Sequence, residues 1–449
     1  MSGMKDMTQG SVTKHLLHMA SFMAVSMVVQ TLYLLADLYW VGRLGKEAIA
    51  AVGLSGNLMM VVLALTQMLG VGTTTVISHA AGRKDQASAE RAFNQSVVLS
   101  LVVGLLFGIV SFPLRQQYSQ SLSADAPTAA MAVSYLGWFI PALILQFPLV
   151  SLGSALRATG IIKPAVGLQV LSVILNMIFA PLLIFGVGPF PELGVVGAAV
   201  GTTIGRGCGV LFAAWCLFRP GGRIHVDRES WRFDPTLLWK LVKLSSTGVF
   251  QLLIATASWT ALMPIMAGFG EVAIAGYVIA LRVVMFALLP ALGLSNAAAT
   301  MVGQNLGAGK PERSEAAVWK AGWFNAVFYF GIGVIFWLFS NQIIGIFTDE
   351  AEVLRYGTSA LHIIAYGFAF YGLGMVLETA FNGAGDTWTP TYLNFFVFWL
   401  FEIPAAYILA YYYGLGPDGV FWAITIAFSL LAVASALLFK RGKWKLKVV

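Results

Sequence analysis

Charged and amide side chains interrupt several long apolar stretches of the sequence, where groups of this kind are rare. They are Asp37, Asn176, Arg206, Arg282, Glu378 and Glu402. A charge in hydrocarbon costs at least about 2.5 kcal/mol, so a residue in such a position needs either a partner or a function. Carboxylates in apolar segments are typical of proton carriers and cation sites, which amide or hydroxyl groups can complete.

Asp37 lies in an apolar run, residues 34–40, in the outer half of the first apolar stretch. A lone carboxylate that faces a cleft there can bind and release a proton, or it can hold a sodium ion. Alternatively, it has a structural role at the membrane interface, paired with Arg43 or with a backbone amide. We interpret Asp37 as a coupling residue.

Asn176 lies in the middle of another apolar stretch, and Thr202 and Thr203 follow in the next one. The amide of Asn176 can bind a cation, form a hydrogen bond with a carboxylate, or join two helices. Either threonine hydroxyl can donate to the same cluster. Glycine and alanine recur at short intervals in residues 194–205, which indicates a helix that packs closely against its neighbour.

The second half of the chain carries Arg282, Glu378 and Glu402 in apolar stretches, and the first half adds Arg206. Either glutamate can carry protons or attract a cationic substrate. Each can equally be neutralised by one of the two arginines, so a structural role for the glutamates stays open.

Metal and nucleotide chemistry are not indicated. The five histidines neither cluster nor show metal-ligand spacing. The glycine-rich residues 303–310 lack the spacing and the serine or threonine of a nucleotide-binding loop. No cofactor is predicted, no ATP coupling, and no metal beyond a Na⁺ ion at Asp37 and Asn176.

The composition places these residues in a membrane protein. Of the 449 residues, 58% are hydrophobic and 10% are charged, whereas a soluble domain averages about 25% charged residues. A water-soluble globule of this size cannot bury so much apolar surface. The composition excludes soluble enzymes, nucleic-acid-binding proteins and large extracellular receptors, and it indicates an all-α polytopic protein of the lipid bilayer.

Apolar runs predict twelve transmembrane helices, each with the roughly 20 apolar residues that a bilayer requires. The predicted helices are 15–40, 49–78, 94–114, 129–150, 164–186, 195–218, 237–266, 273–303, 319–340, 356–381, 389–413 and 419–439. Most of the 27 Lys and Arg residues fall in the N-terminus, the even-numbered connections and the C-terminal tail. By the positive-inside rule, both termini of this multi-pass protein lie on the cytoplasmic side of the cell (inner) membrane.

The two halves of the chain match at a constant offset of 225 residues, so that Gly45 corresponds to Gly270 and Gly160 to Gly385. We therefore predict an N-terminal lobe (1–218), a cytoplasmic linker (219–236), a C-terminal lobe (237–440) and a basic cytoplasmic tail (441–449). Each repeat has six helices, so both enter the membrane in the same sense. Two such bundles facing a central cavity are the geometry of an alternating-access transporter.

Three segments resemble the MATE family of multidrug and toxic compound extrusion transporters. They are residues 36–45, residues 381–387 with their counterpart 156–160, and residues 176–186 with 189–195. The resemblance covers essentially the whole chain. It implies two six-helix lobes in a V around a central cavity, and a monomer. It also implies a cation-coupled antiporter that exports amphipathic, often cationic, drugs or toxic compounds by alternating access.

Within that family the chain is similar to the DinF-like branch, whose coupling site lies in the N-terminal lobe. The resemblance implies coupling roles for Tyr33, Asp37, Asn176 and Thr202, with Thr203 as the alternative to Thr202. That branch commonly has an aspartate four residues after the asparagine, where this chain has Ala180. Because a hard cation needs several oxygen ligands and a proton needs only one, we predict coupling to H⁺ rather than to Na⁺.

The small-molecule substrate is expected to contact polar residues in the cavity. The candidates are Arg206, Gln251, Arg282, Glu378 and Glu402. Among them, Gln251 lies near the position of the seventh-span glutamate of the other main branch. If Ala180 removes part of the first-lobe site, Glu378 or Glu402 takes over some of the coupling.

Two other functions were weighed. A lipid-linked precursor flippase of the same broad superfamily requires a strongly basic central cavity, whereas only two arginines lie inside the spans. An intramembrane enzyme requires a cluster of catalytic carboxylates or histidines at one membrane face, and the sequence shows none. We therefore predict a transporter without enzymatic activity and without a nucleic-acid partner.

Overall fold

The computed structural model describes residues 6–123, 125–218, 233–447 and 449. Helices make up most of these residues, and no β-strand occurs among them. The helices are α1 (Val12–Gly42), α2 (Lys46–Gly82), α3 (Gln86–Leu122), α4 (Ala126–Ala158), α5 (Ile162–Phe185), α6 (Val195–Phe218), α7 (Pro235–Ala261), α8 (Met263–Ala267), α9 (Glu271–Gly307), α10 (Pro311–Gly345), α11 (Ala351–Gly383), α12 (Trp388–Asn394), α13 (Ile403–Tyr407) and α14 (Pro417–Lys440). Two π-helical segments, Phe395–Glu402 and Ile408–Tyr412, flank α13, and a 3₁₀ helix, Lys443–Leu446, follows α14.

Eleven segments in the described parts of the chain are long and apolar enough to cross a bilayer. One of them joins α7 and α8 (Pro235–Ala267), and another joins α12, α13 and the π-helical segments (Trp388–Tyr412). In addition, α1 has 31 residues, which corresponds to about 46 Å of helix and exceeds the hydrocarbon core of about 30 Å. The predicted all-α polytopic membrane fold is confirmed.

The chain forms two compact units. The first contains Phe22–Ser245, and the second contains Met7–Ser21 and Ser246–Val449. Two helices therefore divide between the units, because α1 begins in the second and α7 begins in the first.

In the first unit, α4 is the central helix and packs against α2, α3, α5 and α6. In the 18-residue apolar stretch of each span, 67% of the α4 residues are buried inside the protein, compared with 17% of the α3 residues. The predicted close packing of α6 is confirmed, because glycines let its backbone approach α5. A Cβ on Gly201 would lie 2.9 Å from backbone atoms of Ala180, and one on Gly205 would lie 2.5 Å from the Ser172 carbonyl oxygen. This contact sets the distance between polar side chains on the two helices.

In the second unit, α11 takes the central place, packed against α9, α10 and α14. In its 18-residue apolar stretch, 61% of the residues are buried. A Cβ on Gly383 would lie 2.3 Å from the Ala299 carbonyl oxygen, so only glycine allows α9 and α11 to pack at this distance. Aromatic side chains fill the surrounding core, among them Tyr329, Phe368 and Phe428.

Equivalent turns in the two repeats share a backbone conformation. Gly45 and Gly270, which precede α2 and α9, have φ angles of 108° and 97°. In the turns that precede α3 and α10, Lys84 (φ 60°) corresponds to Gly309 (φ 69°). A residue with a Cβ is strained at positive φ, so Lys84 carries a cost that Gly309 avoids. The 225-residue repeat therefore extends from the sequence to the backbone.

Candidate functional site

A polar cluster in the first unit joins α1, α5 and α6. Asn176 on α5 donates from Nδ2 to Oγ1 of Thr202 on α6 at 2.7 Å. The Thr202 hydroxyl donates to the carbonyl of Ala198 at 3.0 Å. Its single proton is thereby used, so the Tyr33 hydroxyl on α1, 3.4 Å from the same Oγ1, is the donor in that contact. The structure thus brings together three of the four residues expected to form the coupling site.

Asp37, the fourth residue, lies one helical turn after Tyr33 on α1 and is partly buried. Its Oδ1 atom is buried and accepts no hydrogen bond from any described residue. The carboxylate interacts electrostatically with Arg206 and with the hydroxyls of Tyr33 and Tyr135. An unsatisfied buried acceptor costs about 1–3 kcal/mol, and a proton or a cation bound to this oxygen offsets that cost.

Arg43 was the structural alternative for pairing with Asp37. Its guanidinium instead lies over two rings on its own helix, 4.8 Å from the centre of Tyr39 and 5.6 Å from that of Trp40. The ion pairs found between described side chains do not include Asp37. This geometry favours a role for Asp37 other than an interfacial salt bridge.

Arg206 is a fixed positive charge within the same unit. It lies one turn after Thr202 on α6 and is 7% exposed. Its Nη1 donates to the Ala142 carbonyl of α4 at 2.8 Å, and its Cζ lies 6.0 Å from the centre of the Phe139 ring. These contacts hold the guanidinium against α4, where it interacts electrostatically with Asp37.

Tyr135 on α4 belongs to this cluster, although it was not predicted as a site residue from the sequence. It is 2% exposed and stacks on Phe139 with ring centres 5.0 Å apart. Its hydroxyl interacts electrostatically with Asp37, Tyr33 and Arg206. The sequence offers one weak signal: the spacing of Tyr135 and Phe139 places them on the same face of a helix. It does not show which helix that face meets.

Two neighbouring positions have other surroundings. The Thr203 hydroxyl is within hydrogen-bond distance of the carbonyls of Trp138 (2.8 Å) and Ala199 (2.9 Å), so it binds backbone rather than the cluster. Ala180 is 1% exposed and packs against Gly201, the residue before Thr202. The position of the missing aspartate therefore adjoins the cluster, and here it supplies a methyl group instead of oxygen ligands.

Gln251 forms a hydrogen-bond network inside the second unit. Its amide exchanges two hydrogen bonds with Asn382, at 3.0 and 2.9 Å. It also donates to the Thr387 carbonyl at 3.0 Å and reaches Oγ1 of Thr391 at 3.3 Å. These bonds connect α7 to α11 and α12. Arg282, another predicted substrate residue, lies on α9 and is exposed. The substrate role expected of both residues stays a prediction.

Glu378 and Glu402 are buried to different extents in the second unit. Glu402 is 0% exposed, and neither of its carboxylate oxygens has a hydrogen-bond partner among the described residues. Glu378 is partly buried, and its Oε1 is likewise without a partner. The ion pairs found between described residues include neither glutamate. The roles expected of Glu378 and Glu402, and their neutralisation by an arginine, stay predictions.

A model of the MatE family matches two parts of the chain, residues 23–182 and 249–408. The two matches cover well over half of the chain and begin 226 residues apart, close to the offset of the internal repeat. The chain belongs to the MatE family. Members of this family are membrane transporters, so the expectation of a transporter without enzymatic activity is confirmed.

Curated relatives of this MatE-family transporter match it along nearly their whole length. The probable multidrug resistance protein YpnP of Bacillus subtilis is 25% identical over 98% of this chain and 97% of its own. The probable multidrug resistance protein NorM of Thermotoga maritima is 25% identical over 94% of this chain and 91% of its own. The multidrug export protein MepA of Staphylococcus aureus is 25% identical over 95% of this chain and 93% of its own.

Solved structures show the same fold. An outward-facing MATE multidrug resistance transporter of the MOP superfamily superposes with a TM-score of 0.89 at 26% identity, covering 98% of both chains. A MOP superfamily transporter from Pyrococcus furiosus, described as having a binding pocket of reversed polarity, has a TM-score of 0.87 at 26% identity and the same coverage. The membrane-transporter fold of the chain is thereby established.

Proposed function

We propose that this transporter exports amphipathic, often cationic, drugs or toxic compounds in exchange for protons, with Asp37 as the proton-carrying residue. The observation that carries the proposal is the buried, unpaired Oδ1 of Asp37 beside Tyr33, Asn176 and Thr202. The names of the relatives YpnP, NorM and MepA support the substrate class, because all three refer to multidrug resistance or export.

The composition of the site supports a proton over a sodium ion. A hard cation is held by several oxygen ligands, but Ala180 supplies none, and the Thr202 oxygen already accepts from Asn176. The guanidinium of Arg206 interacts electrostatically with the carboxylate, and its positive charge opposes a second, permanent cation. Protonation of Asp37 needs only one oxygen.

Neutralising Asp37 changes the electrostatics of the first unit, because the carboxylate then no longer attracts Arg206. In the proposed cycle, protonation of Asp37 favours substrate release to the outside and the return of the protonated transporter to the inward-open state, where the proton leaves. Substrate and proton compete, which links the two fluxes. We further propose that the transporter works as a monomer of the inner membrane with both termini in the cytoplasm.

The test is efflux of a fluorescent lipophilic cation from proteoliposomes, with a proton gradient and a sodium gradient imposed separately. Asp37→Asn should lower the rate of proton-driven efflux at least tenfold, because the amide cannot carry the proton. The matched control is Asp349→Asn, which makes the same change at an exposed residue and should leave efflux unchanged.

The other outcomes are informative. Efflux driven by sodium alone would show that the coupling ion is wrong. Unchanged proton-driven efflux in Asp37→Asn would show that the carrier residue is wrong. If neither gradient drives transport, the lipid-linked precursor flippase takes first place, with the buried Arg206 as a group suited to an anionic headgroup.

A further inference from the structure

Glu402 has an unusual environment within the second unit. It is the last residue of the π-helical segment Phe395–Glu402, in the middle of the span Trp388–Tyr412. Its side chain is fully buried, and both carboxylate oxygens lack a hydrogen-bond partner in the part of the chain that the structure describes. An ionised carboxylate in such a place costs several kcal/mol even after relaxation. A neutral, protonated carboxyl avoids most of that cost.

Among the described residues, two tyrosines interact electrostatically with Glu402, and the arginine of α9, Arg282, is exposed. Helix α9 supplies Tyr277, which interacts electrostatically with Glu402 and donates its proton to the Trp259 carbonyl at 3.0 Å. Helix α11 supplies Tyr371, which interacts electrostatically with both Glu402 and Glu378. Tyr371 is therefore a described residue that interacts with both carboxyls.

Three further helices, α12, α13 and α14, pack against the π-helical segment. The charged residues of α14, Asp418 and Lys440, lie at its two ends. Phe428 of α14 packs on Tyr371 with ring centres 4.1 Å apart. The titratable residues of α12 and α13, Tyr392 and Tyr407, are exposed. Glu402 is thus fully buried, and the described groups that interact with it electrostatically are the hydroxyls of two tyrosines.

The backbone at Glu402 is also irregular. Pro404 follows two residues later, and because its nitrogen carries no hydrogen it cannot form the helical bond to the Leu400 carbonyl. The π-helical segments on both sides of α13 together interrupt the regular α-helical pattern of this span. π-Helical turns are rare and occur frequently at functional sites. The irregular backbone therefore indicates a functional position at Glu402 independently of the buried carboxyl.

We propose that Glu402 is a second proton-binding residue of the transporter, located in the second unit and accompanied by Glu378. The proton occupies a carboxylate oxygen of Glu402, which makes the buried side chain neutral. Glu378, whose Oε1 is likewise buried without a partner among the described residues, is the other carboxyl of this unit's spans. The inference rests on the proposed proton antiport for its part in transport, but proton occupancy of Glu402 can be measured without transport.

The first experiment is infrared spectroscopy of the purified full-length protein at neutral pH, without substrate. Wild type should show the carbonyl stretch of protonated carboxylic acids, and Glu402→Gln should lose part of this intensity. Glu350→Gln, a change at an exposed residue, should keep it. Unchanged intensity in Glu402→Gln would overturn the proposal.

A second experiment separates function from packing. Glu402→Gln should slow proton-driven efflux at least tenfold, and Glu402→Met should slow it equally. The unfolding temperature of Glu402→Met should be no lower than that of wild type, because an unpaired buried carboxyl adds no stability. A lower unfolding temperature with normal efflux would show that Glu402 is structural. Asp37→Asn tests only the proposed function, so the two ideas can fail separately.

Discussion

At the scale of single residues, two adjacent threonines of α6 have different partners. Thr202 accepts the amide of Asn176 and lies beside the Tyr33 hydroxyl, so it connects three helices. Thr203 makes its hydrogen bonds only to backbone carbonyls. The cluster around Asp37 therefore depends on one hydroxyl and not on the next, although both belong to the same Thr-Thr pair in the sequence.

Thr202→Val should lower the free energy of unfolding by about 1–3 kcal/mol, because it leaves the buried amide of Asn176 without its acceptor. It should also reduce proton-driven efflux. Thr203→Val is the matched control and should cost about 1 kcal/mol or less, since carbonyl oxygens tolerate a lost donor more easily. Unfolding in detergent and proteoliposome efflux measure the two effects. Equal losses in both variants would contradict the assignment of Thr202 to the cluster.

At the scale of helices and turns, the repeat identifies a strained position. Lys84 and Gly309 occupy equivalent turns with φ angles of 60° and 69°. Lys84 also forms an exposed ion pair with Asp6, 3.6 Å between Nζ and Oδ2, and such pairs contribute about 0–1 kcal/mol. A comparison at this position must therefore separate the backbone from the charge.

Lys84→Ala and Lys84→Gly both remove the charge, and only the second removes the Cβ. We expect Lys84→Gly to be more stable than Lys84→Ala by about 1 kcal/mol, because a left-handed conformation costs an L-residue about 1–2 kcal/mol. Gly309→Ala should be destabilised by a similar amount. Thermal unfolding of the three variants beside wild type provides the measurement, and identical stability of the two Lys84 variants would rule out backbone strain.

Hydropathy predicted the helices but not their ends. The third helix was predicted at residues 94–114 and extends from Gln86 to Leu122. The additional turns at its N-terminal end are polar, and Asp85 caps them by accepting a hydrogen bond from the Ser88 amide at 3.0 Å. Apolar runs report the part of a helix inside the bilayer, whereas capping and hydrogen bonding decide where it begins and ends.

The polar site, like the helices, was predicted from the sequence only in part. Tyr33, Asp37, Asn176 and Thr202 were expected together because of the family resemblance, and the structure places them in one unit. Tyr135 was not found, because its role depends on which face of α4 meets α1. The π-helical segment at Glu402 was not found either, since Pro404 alone predicts a kink but not its form.

At the scale of the whole molecule, each unit contains a carboxyl with a buried oxygen that lacks a hydrogen-bond partner among the described residues. Asp37 lies in the first helix of the first unit, and Glu402 lies in the span Trp388–Tyr412 of the second. The two residues do not occupy equivalent positions in the repeats, so duplication alone does not explain both. The backbone architecture is repeated, and the proposed proton sites are placed on it independently.

The repeat also makes a prediction about sidedness, because six spans per repeat return the chain to the same side of the membrane. Glu192 and Leu415 lie in turns before the last helix of each repeat, and Gln86 and Glu312 lie near the start of the third helix of each. All four residues are exposed. The distribution of Lys and Arg places the first two outside and the last two in the cytoplasm.

Single cysteines at these positions, in a background with Cys208 and Cys216 replaced by serine, allow the topology to be read by labelling. A membrane-impermeant maleimide should modify Glu192→Cys and Leu415→Cys in intact cells. Gln86→Cys and Glu312→Cys should react only after permeabilisation, which also controls for their accessibility. Because parallel repeats require the same result at each corresponding pair, different results within a pair would exclude the parallel duplication. The opposite result at all four positions would keep the repeat but reverse its orientation in the membrane.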